Sequence, residues 1–316
     1  MIVSLKGKHI TSGKQFSKAE IERVLEVAEG FREELKEKPS LDLMKGYILG
    51  TLFFEPSTRT RLSFESAMER LGGSVIGFSE ASTSSAAKGE TLQDTILTVC
   101  QYVDVIAMRH PQIGSADLAA QVATVPILNG GDGAGQHPTQ ALLDMLTIKS
   151  EKGALDGLTV ALVGDLKHGR TVHALVELLK HYHTRLLFVA PSLLQMPSEI
   201  SAGLREHGIA IEETEDLPGA LRQADVVYMT RIQRERFADP AQYDALKNAF
   251  ILDRALVDQA KPGLTILHPL PRVSEITTDV DDFAGAAYFR QVKNGIYARM
   301  ALIALVTGRN TLPGAR

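Results

Sequence analysis

The sequence predicts an α/β protein with two domains, each a parallel β-sheet flanked by helices on both faces. Three observations lead there. The chain has 316 residues, the length of two domains of about 150 residues each. Hydrophobic residues make up 44%, enough for each half to bury a core. Short apolar runs alternate with helical patterns, as parallel strands covered on both faces require.

The elements follow in order. Ser17 and Glu20 form a capping box before Ile21, Val24, Leu25, Ala28, Phe31 and Leu35, which recur at helical spacing. YILGTLFF (47–54) reads as a strand, and FEPSTRTR as the turn into a helix with Phe64, Ala67, Met68 and Leu71 on one face. Ser57 is placed to cap that helix, and Gly72-Gly73 stops it. SVIGF (74–78) is a strand, SEASTSSAAKGE a small polar loop, and a helix begins near Thr91. DVIAMRH gives a strand ending in Arg109. VPILN gives another, followed by the loop GGDGAGQ and a helix opening on His137-Pro138.

EKGALDG (151–157), rich in Gly and charge, is the expected domain boundary, dividing 1–150 from 151–292. Strands then recur at LTVALVGD, RLLFVAP, IAIEE, DVVYMT and LTILHPLP, with helices from Thr171, Ser198 and Leu217. A last helix over roughly 293–307, with Ile296, Met300, Ile303 and Ala304 on one face, has a pattern compatible with packing on either half.

Composition narrows the function. With 34 basic and 38 acidic residues the net charge is −4, so no global field favours nucleic acid or a membrane surface. Absence of Trp and 6% aromatics disfavour a base-stacking surface. The one cysteine, Cys100, lies on the apolar stripe Ile96, Val99, Cys100, Val103 and reads as core. It allows no internal disulfide and no multi-cysteine zinc site. MIVSLKGKHI lacks a signal-type segment, and no apolar run reaches the roughly 18 residues of a membrane helix. The expectation is a cytoplasmic-type soluble protein.

Ligands of such sheets bind at the carboxyl ends of strands. Those ends carry Arg59, Arg109, His137, Arg170 and Arg231. A helix N-terminus already holds about half a positive charge, which opposes a cation by about 0.3–1 kcal/mol. Arg59 and Arg61 therefore make sense there if an anion, most naturally phosphate, sits among them with Ser57, Thr58 and Thr60. The bland alternative turns both arginines to solvent or to Glu65 and Glu69. QHPTQ sets His137 and Gln140 on one face at a helix start, able to hydrogen-bond a carbonyl, though a capping histidine is the commoner case. In HPLPR the prolines at 269 and 271 remove donors and leave carbonyls to meet a ligand's N–H groups, unless the segment is only a rigid turn. GDLKHGRT nearly spells a nucleotide-binding loop, but Arg170 stands where that loop needs lysine. The next strand also ends without a ribose-binding acid. Lys88 stands in a loop of small residues, where a solvated lysine is the ordinary case.

Together FEPSTRTR, SSAAKGETLQDT, MRHPQ, QHPTQALLD, VGDLKHGRTVH, MTRIQRERF and HPLPR resemble, in order and nearly end to end, the aspartate carbamoyltransferase catalytic chains. Ornithine carbamoyltransferases carry cysteine where this chain has Pro269; Arg231-x-Gln233 and Pro269 both point to aspartate. The resemblance implies a carbamoyl-phosphate domain, an aspartate domain, and a C-terminal helix (293–316) packing back on the first. It also implies an early step of pyrimidine biosynthesis and a homotrimer with shared active sites, Ser84 and Lys88 coming from the neighbouring subunit. Ser57, Thr58, Arg59, Thr60 and Arg109 would hold the phosphate. His137, with Thr60 and Arg109, would bind the carbonyl oxygen. Gln140 and the carbonyls of Pro269, Leu270 and Pro271 would take the carbamoyl NH2. Arg170, Arg231, Gln233 and Lys88 would hold the aspartate carboxylates. No cofactor or metal is implied.

The residues suit that chemistry by themselves. No Ser-His-Asp set, activated cysteine or metal cluster is visible, so direct attack by an amine on carbamoyl phosphate is expected, with a stabilised oxyanion. An ornithine or related carbamoyltransferase, and an inactive scaffold chain of the same family, are the alternatives. Regulation by nucleotides would need a regulatory chain, and dihydroorotase is the other partner the family suggests.

Overall fold

In the computed structural model, which describes residues 3–83, 85–234, 237 and 239–309 (for 85 and 86 the backbone alone), the apolar runs form two parallel sheets. The first half runs α1 (Lys18–Glu37), β1 (Ile48–Phe53), α2 (Thr58–Arg70), β2 (Ser74–Phe78), α3 (Leu92–Val99), β3 (Val105–His110), α4 (Ser115–Val122), β4 (Ile127–Asp132) and α5 (Pro138–Lys152). The second begins with β5 (Thr159–Val163), α6 (Arg170–Leu179), β6 (Arg185–Val189), α7 (Ser198–Glu206) and β7 (Ala210–Thr214). It continues through α8 (Leu217–Leu221), β8 (Val226–Met229), α9 (Pro240–Leu246), α10 (Arg254–Val257), β9 (Thr265–Leu267) and α11 (Tyr288–Thr307).

Contacts divide the chain into two compact units. One holds the residues up to Leu146 and those from Val292 onward; the other holds Thr147–Gln291. The changeovers fall inside α5 and α11, whereas 151–157 lies at and just beyond the end of α5.

The sheet of the first unit has the order β2-β1-β3-β4, all parallel. Central strands β1 and β3 are buried along most of their length, as apolar runs covered on both faces should be. Edge strand β2 is half-exposed. The other edge, β4, is covered by the N-terminal segment: the Ile10 N–H donates to Ile127 O at 2.7 Å, and the Asn129 N–H to Ile10 O at 2.8 Å. That covering satisfies ladder groups an open edge would leave bare. The second unit has the order β7-β6-β5-β8-β9, also parallel, with a core that includes Val163, Leu187, Val227 and Tyr288.

Several local readings hold. Ser17 and Glu20 make the reciprocal capping box, worth about 0.5–2 kcal/mol for its Ser side. Thr91 caps α3. Cys100 is buried beside Ile96, Val103 and Ile106, as core. Others need correction. Ser57 occupies the cap position of α2 but makes no side-chain cap bond. β3 ends at His110 rather than Arg109. Strand β4 continues through Gly130, Gly131 and Asp132, where a loop was expected. A Cβ on Gly130 would lie 3.1 Å from Met108 O and 3.2 Å from the Thr60 methyl, so glycine there lets α2 approach the sheet closely. The last helix starts at Tyr288, not 293, and ends at Thr307; residues 310–316 lie outside the described residues. Met300, Ile303 and Ala304 are fully buried in the first unit.

Candidate functional site

Strand order decides where each unit can bind a ligand. In an open parallel sheet the crevice lies where neighbouring strands send their connections to opposite faces. In the first unit that point is between β1 and β3, at the carboxyl ends Phe53 and Arg109, which are register partners. The segments leaving it are Phe54–Thr60 and His110–Gln112. In the second unit the reversal lies between β5 and β8. There the departing segments carry Gly164–Arg170 and Thr230–Gln233. A Cβ on Gly164 (φ +113°) would come 2.4 Å from Thr230 O, so only glycine brings these two loops so close.

At the first switch point two guanidiniums share one neighbourhood. Burial, and then the charge of Arg109, hold Arg59 below the ordinary arginine pKa. Arg109 is itself depressed by burial and lifted partway back by Glu55. Its Nη2 donates to Glu55 Oε1 at 2.6 Å, and its Nη1 to Gly130 O at 3.4 Å. Its Nε is buried and donates to nothing among the described residues. Arg61 goes elsewhere, 3.8 Å from Glu65. The two arginines of the STRTR stretch have therefore separate roles, and the solvent or ion-pair alternative is right for Arg61.

Thr60 is buried against Gly130. Ser57 and Thr58 lie at the start of α2, whose first turn carries no acidic residue. First-turn N–H groups have no partner within a helix, and with two nearby arginines they suit an anion. His137 is buried just ahead of α5 and accepts the Gln140 N–H at its carbonyl, 3.0 Å away. Gln140, part-buried, donates through Nε2 to Asp144 Oδ1 at 2.9 Å. Arg299 of α11 is fully enclosed near Asp144, and burial drives its pKa down to about 10.

The second unit holds Arg170 at the first position of α6, and Arg231 and Gln233 just past β8, all part-buried. It also holds the turn 268–271. Leu270 there adopts φ +55°, a left-handed conformation that a leucine takes only when its surroundings impose it. The imposition is visible: the Leu270 N–H donates to His268 Nδ1 at 2.8 Å, and His268 Nε2 meets Glu275 Oε1 at 2.8 Å, both residues buried. Glu275 also accepts the N–H groups of Val273 and Ser274. HPLPR is thus more than a rigid turn. Burial alone would raise the Glu275 carboxyl, but hydrogen bonds from His268 and the backbone hold it below its ordinary 4.5. Its stabilisation is present above that value and lost as pH falls through the lower folded one. Glu275→Gln is expected to cost roughly 1.5–3 kcal/mol at neutral pH. The gap from wild type should close below pH 4.5 in urea titrations; a gap constant with pH would refute the charged latch.

Lys88 is exposed, at the end of a short 3-10 turn. Ser84 lies outside the described residues. Among the described residues no group of His, Cys, Asp and Glu is arranged to hold a metal ion, and no helix is long and apolar enough to cross a membrane. Three residues of the first unit escaped the sequence reading: Glu55, Asp144 and Arg299. A signal existed for each. Glu55 sits between a strand end and Pro56, and Asp144 and Arg299 interrupt apolar helical stripes.

Comparison with known proteins divides the chain near the same point, although the second match runs on through α11, which lies mostly in the first unit. Residues 8–150 match the family described as Aspartate/ornithine carbamoyltransferase, carbamoyl-P binding domain, and residues 156–306 its Asp/Orn binding domain. An aspartate carbamoyltransferase catalytic subunit of Thermococcus gammatolerans is 57% identical, over 96% of this chain and 98% of its own length. The multifunctional protein CAD of Squalus acanthias is 50% identical over 96% of this chain, which corresponds to 14% of that larger protein. The crystal structure of aspartate transcarbamoylase from Trypanosoma cruzi in complex with carbamoyl phosphate superimposes with a TM-score of 0.92 at 46% identity, covering 96% of this chain and 97% of that one. This chain belongs to the aspartate/ornithine carbamoyltransferase family.

Proposed function

We infer that the chain is the catalytic chain of an aspartate carbamoyltransferase. It moves the carbamoyl group of carbamoyl phosphate to the amine of L-aspartate, giving N-carbamoyl-L-aspartate and phosphate, and so serves pyrimidine biosynthesis. The observation that carries the site reading is the Arg59–Arg109 pair, two cations gathered at a strand switch point beside a helix N-terminus.

In this reading Ser57, Thr58, Arg59, Thr60 and Arg109 hold the phosphate, and Arg109 exchanges Glu55 for it. Thr60, Arg109 and His137 donate to the carbonyl oxygen. His137 stands at the positive end of α5, where negative charge is favoured. Gln140 and the carbonyls of Pro269, Leu270 and Pro271 accept from the carbamoyl NH2, the strained turn keeping them aimed. Arg170, Arg231, Gln233 and Lys88 bind the aspartate carboxylates, which leaves its amine to attack.

The step needs no covalent enzyme intermediate. The amine nitrogen bonds to the carbonyl carbon, the C–O bond to phosphate breaks with its electrons, and the departing phosphate accepts the amine proton. Positioning supplies about 7–11 kcal/mol when reacting atoms approach attack geometry. Carbamoyl phosphate, already activated, asks little beyond that and an oxyanion site.

The exposure of Lys88 supports a role in trans, within a homotrimer in which Ser84 and Lys88 serve the neighbouring subunit. Mixing Lys88→Ala chains with Arg109→Ala chains is expected to restore part of the activity that each variant lacks, because some sites then draw intact residues from both. No recovery on mixing refolded chains would exclude sharing. A cytoplasmic location suits a chain whose one cysteine is buried and unbridged. Relatives named as a catalytic subunit support association with a further, regulatory chain, and relatives named as multifunctional proteins support linkage to another activity such as dihydroorotase.

The assay that tests the function is carbamoyl transfer to L-aspartate with L-ornithine in parallel. Turnover with aspartate alone is expected. Turnover with ornithine would put the chain with the sister enzymes, and none with either would leave the scaffold alternative.

A further inference from the structure

Gln140 is asked to recognise an NH2 group, and that demands one particular orientation of its amide. An amide side chain offers a carbonyl at one edge and an NH2 at the other, and the two edges have nearly the same shape. Only the carbonyl edge can accept from a carbamoyl NH2. Something must therefore tell Gln140 which way to point.

Asp144 is one turn further along α5 and fully buried, with Gln140 Nε2 donating to its Oδ1 at 2.9 Å. An ionised carboxylate only accepts hydrogen bonds. It therefore selects the NH2 edge of Gln140 and turns the carbonyl Oε1 away from itself. A carboxylate stays ionised in a core only beside a compensating charge. Arg299 supplies one: its fully buried guanidinium is near enough that Asp144 favours its protonated form, and even at about 10 its pKa leaves it charged at neutral pH. Arg299 is fixed in turn. Its Nη1 donates to Ser63 Oγ at 3.0 Å and Gly295 O at 3.2 Å, its Nη2 to Thr139 Oγ1 at 3.4 Å, and it lies 4.9 Å from the Phe64 ring centre. A Cβ on Gly295 would come 2.7 Å from Arg299 Nη1, so glycine makes room for this charge in α11.

We propose that Asp144, its charge balanced by Arg299, is a positioning residue that fixes the amide of Gln140 with its carbonyl toward the carbamoyl NH2, so that the first unit distinguishes carbamoyl phosphate from acyl phosphates of the same shape. The inference rests on the assignment of Gln140 to that NH2. The competing role for Asp144 is only to neutralise Arg299 within the core.

Acetyl phosphate, which carries CH3 where carbamoyl phosphate carries NH2, separates these roles. Affinities for carbamoyl phosphate, acetyl phosphate and inorganic phosphate are measured on the full-length wild type, Gln140→Ala, Asp144→Asn and the double variant, with thermal unfolding alongside. An asparagine offers its own NH2 and lets the glutamine amide turn over. Asp144→Asn is expected to lose roughly three- to tenfold of the preference for carbamoyl over acetyl phosphate, the worth of one hydrogen bond. Acetyl phosphate and inorganic phosphate should bind as before. The double variant should lose no more preference than Gln140→Ala, as residues acting through one contact do. If Gln140→Ala keeps the preference, the assignment of Gln140 itself is wrong. If Gln140→Ala loses it while Asp144→Asn keeps it and only melts earlier, Asp144 merely neutralises Arg299 and the proposal is overturned. Should Asp144→Asn not fold, Asp144→Glu retains the charge opposite Arg299 but displaces the carboxylate. It is expected to lose the preference too, and a full preference there overturns the proposal.

Discussion

His137→Ala is expected to lower kcat by about 10²–10³ while leaving the KM for carbamoyl phosphate within a few-fold, the loss typical of one well-placed oxyanion donor. The carbonyl oxygen of carbamoyl phosphate carries only a partial negative charge in the ground state. It gains a full charge when the amine adds. A donor at that position therefore acts mainly in the transition state, and its removal lowers kcat and kcat/KM together. His137 is buried immediately ahead of α5, so neither a flexible side chain nor bulk water readily takes its place. His137→Gln, which keeps an N–H donor, should recover part of the rate. Steady-state kinetics at saturating aspartate checks both. A loss of only a few-fold in kcat would remove His137 from the oxyanion site.

Arg109→Ala is expected to be more damaging still, lowering kcat/KM for carbamoyl phosphate by roughly 10³-fold or more. Two losses add. The substitution removes a charged donor to the phosphate, and it also strips Glu55 of the cation 2.6 Å away. Truncating one member of such a pair typically costs about 2–5 kcal/mol, much of it from the charge left behind. Here that charge is negative and stands at the proposed phosphate site. Glu55→Gln on the Arg109→Ala background should therefore recover affinity for inorganic phosphate by about tenfold, although it restores no contact. If the second change has no effect, Glu55 does not face the anion.

Much of this was legible because local chemistry and global fold agree. β1 and β5 read as mostly apolar runs because strands covered on both faces need them. Ser17 announced its helix through the same side-chain bonds that the structure contains. Gly130-Gly131-Asp132 misled because that composition usually marks a turn. Here the strand persists, since glycine is what the close approach of Thr60 and Phe64 permits. α4 has no expected counterpart; it is the crossover that parallel strands β3 and β4 require. The candidate cations could be named from their places at strand ends, but the order β2-β1-β3-β4, which turns those ends into a switch point, is set by tertiary packing. Glu55 was missed for a related reason. A carboxylate's partner is fixed by which strand or turn lies opposite, and Arg109 is 54 positions from Glu55 in the chain.

The most direct measurement is calorimetric binding of a bisubstrate mimic, a phosphonate joined to aspartate, to the full chain and to two single variants. On the proposed assignment, such a ligand offers a phosphoryl-like anion for Arg59 and two carboxylates for Arg231. Tight binding by the wild type, with losses of a hundredfold or more in both Arg59→Ala and Arg231→Ala (about 2.7 kcal/mol each), is the predicted result. Retained tight binding in either variant would contradict the account, since one of the two cation sets would then have no part in holding the reactants.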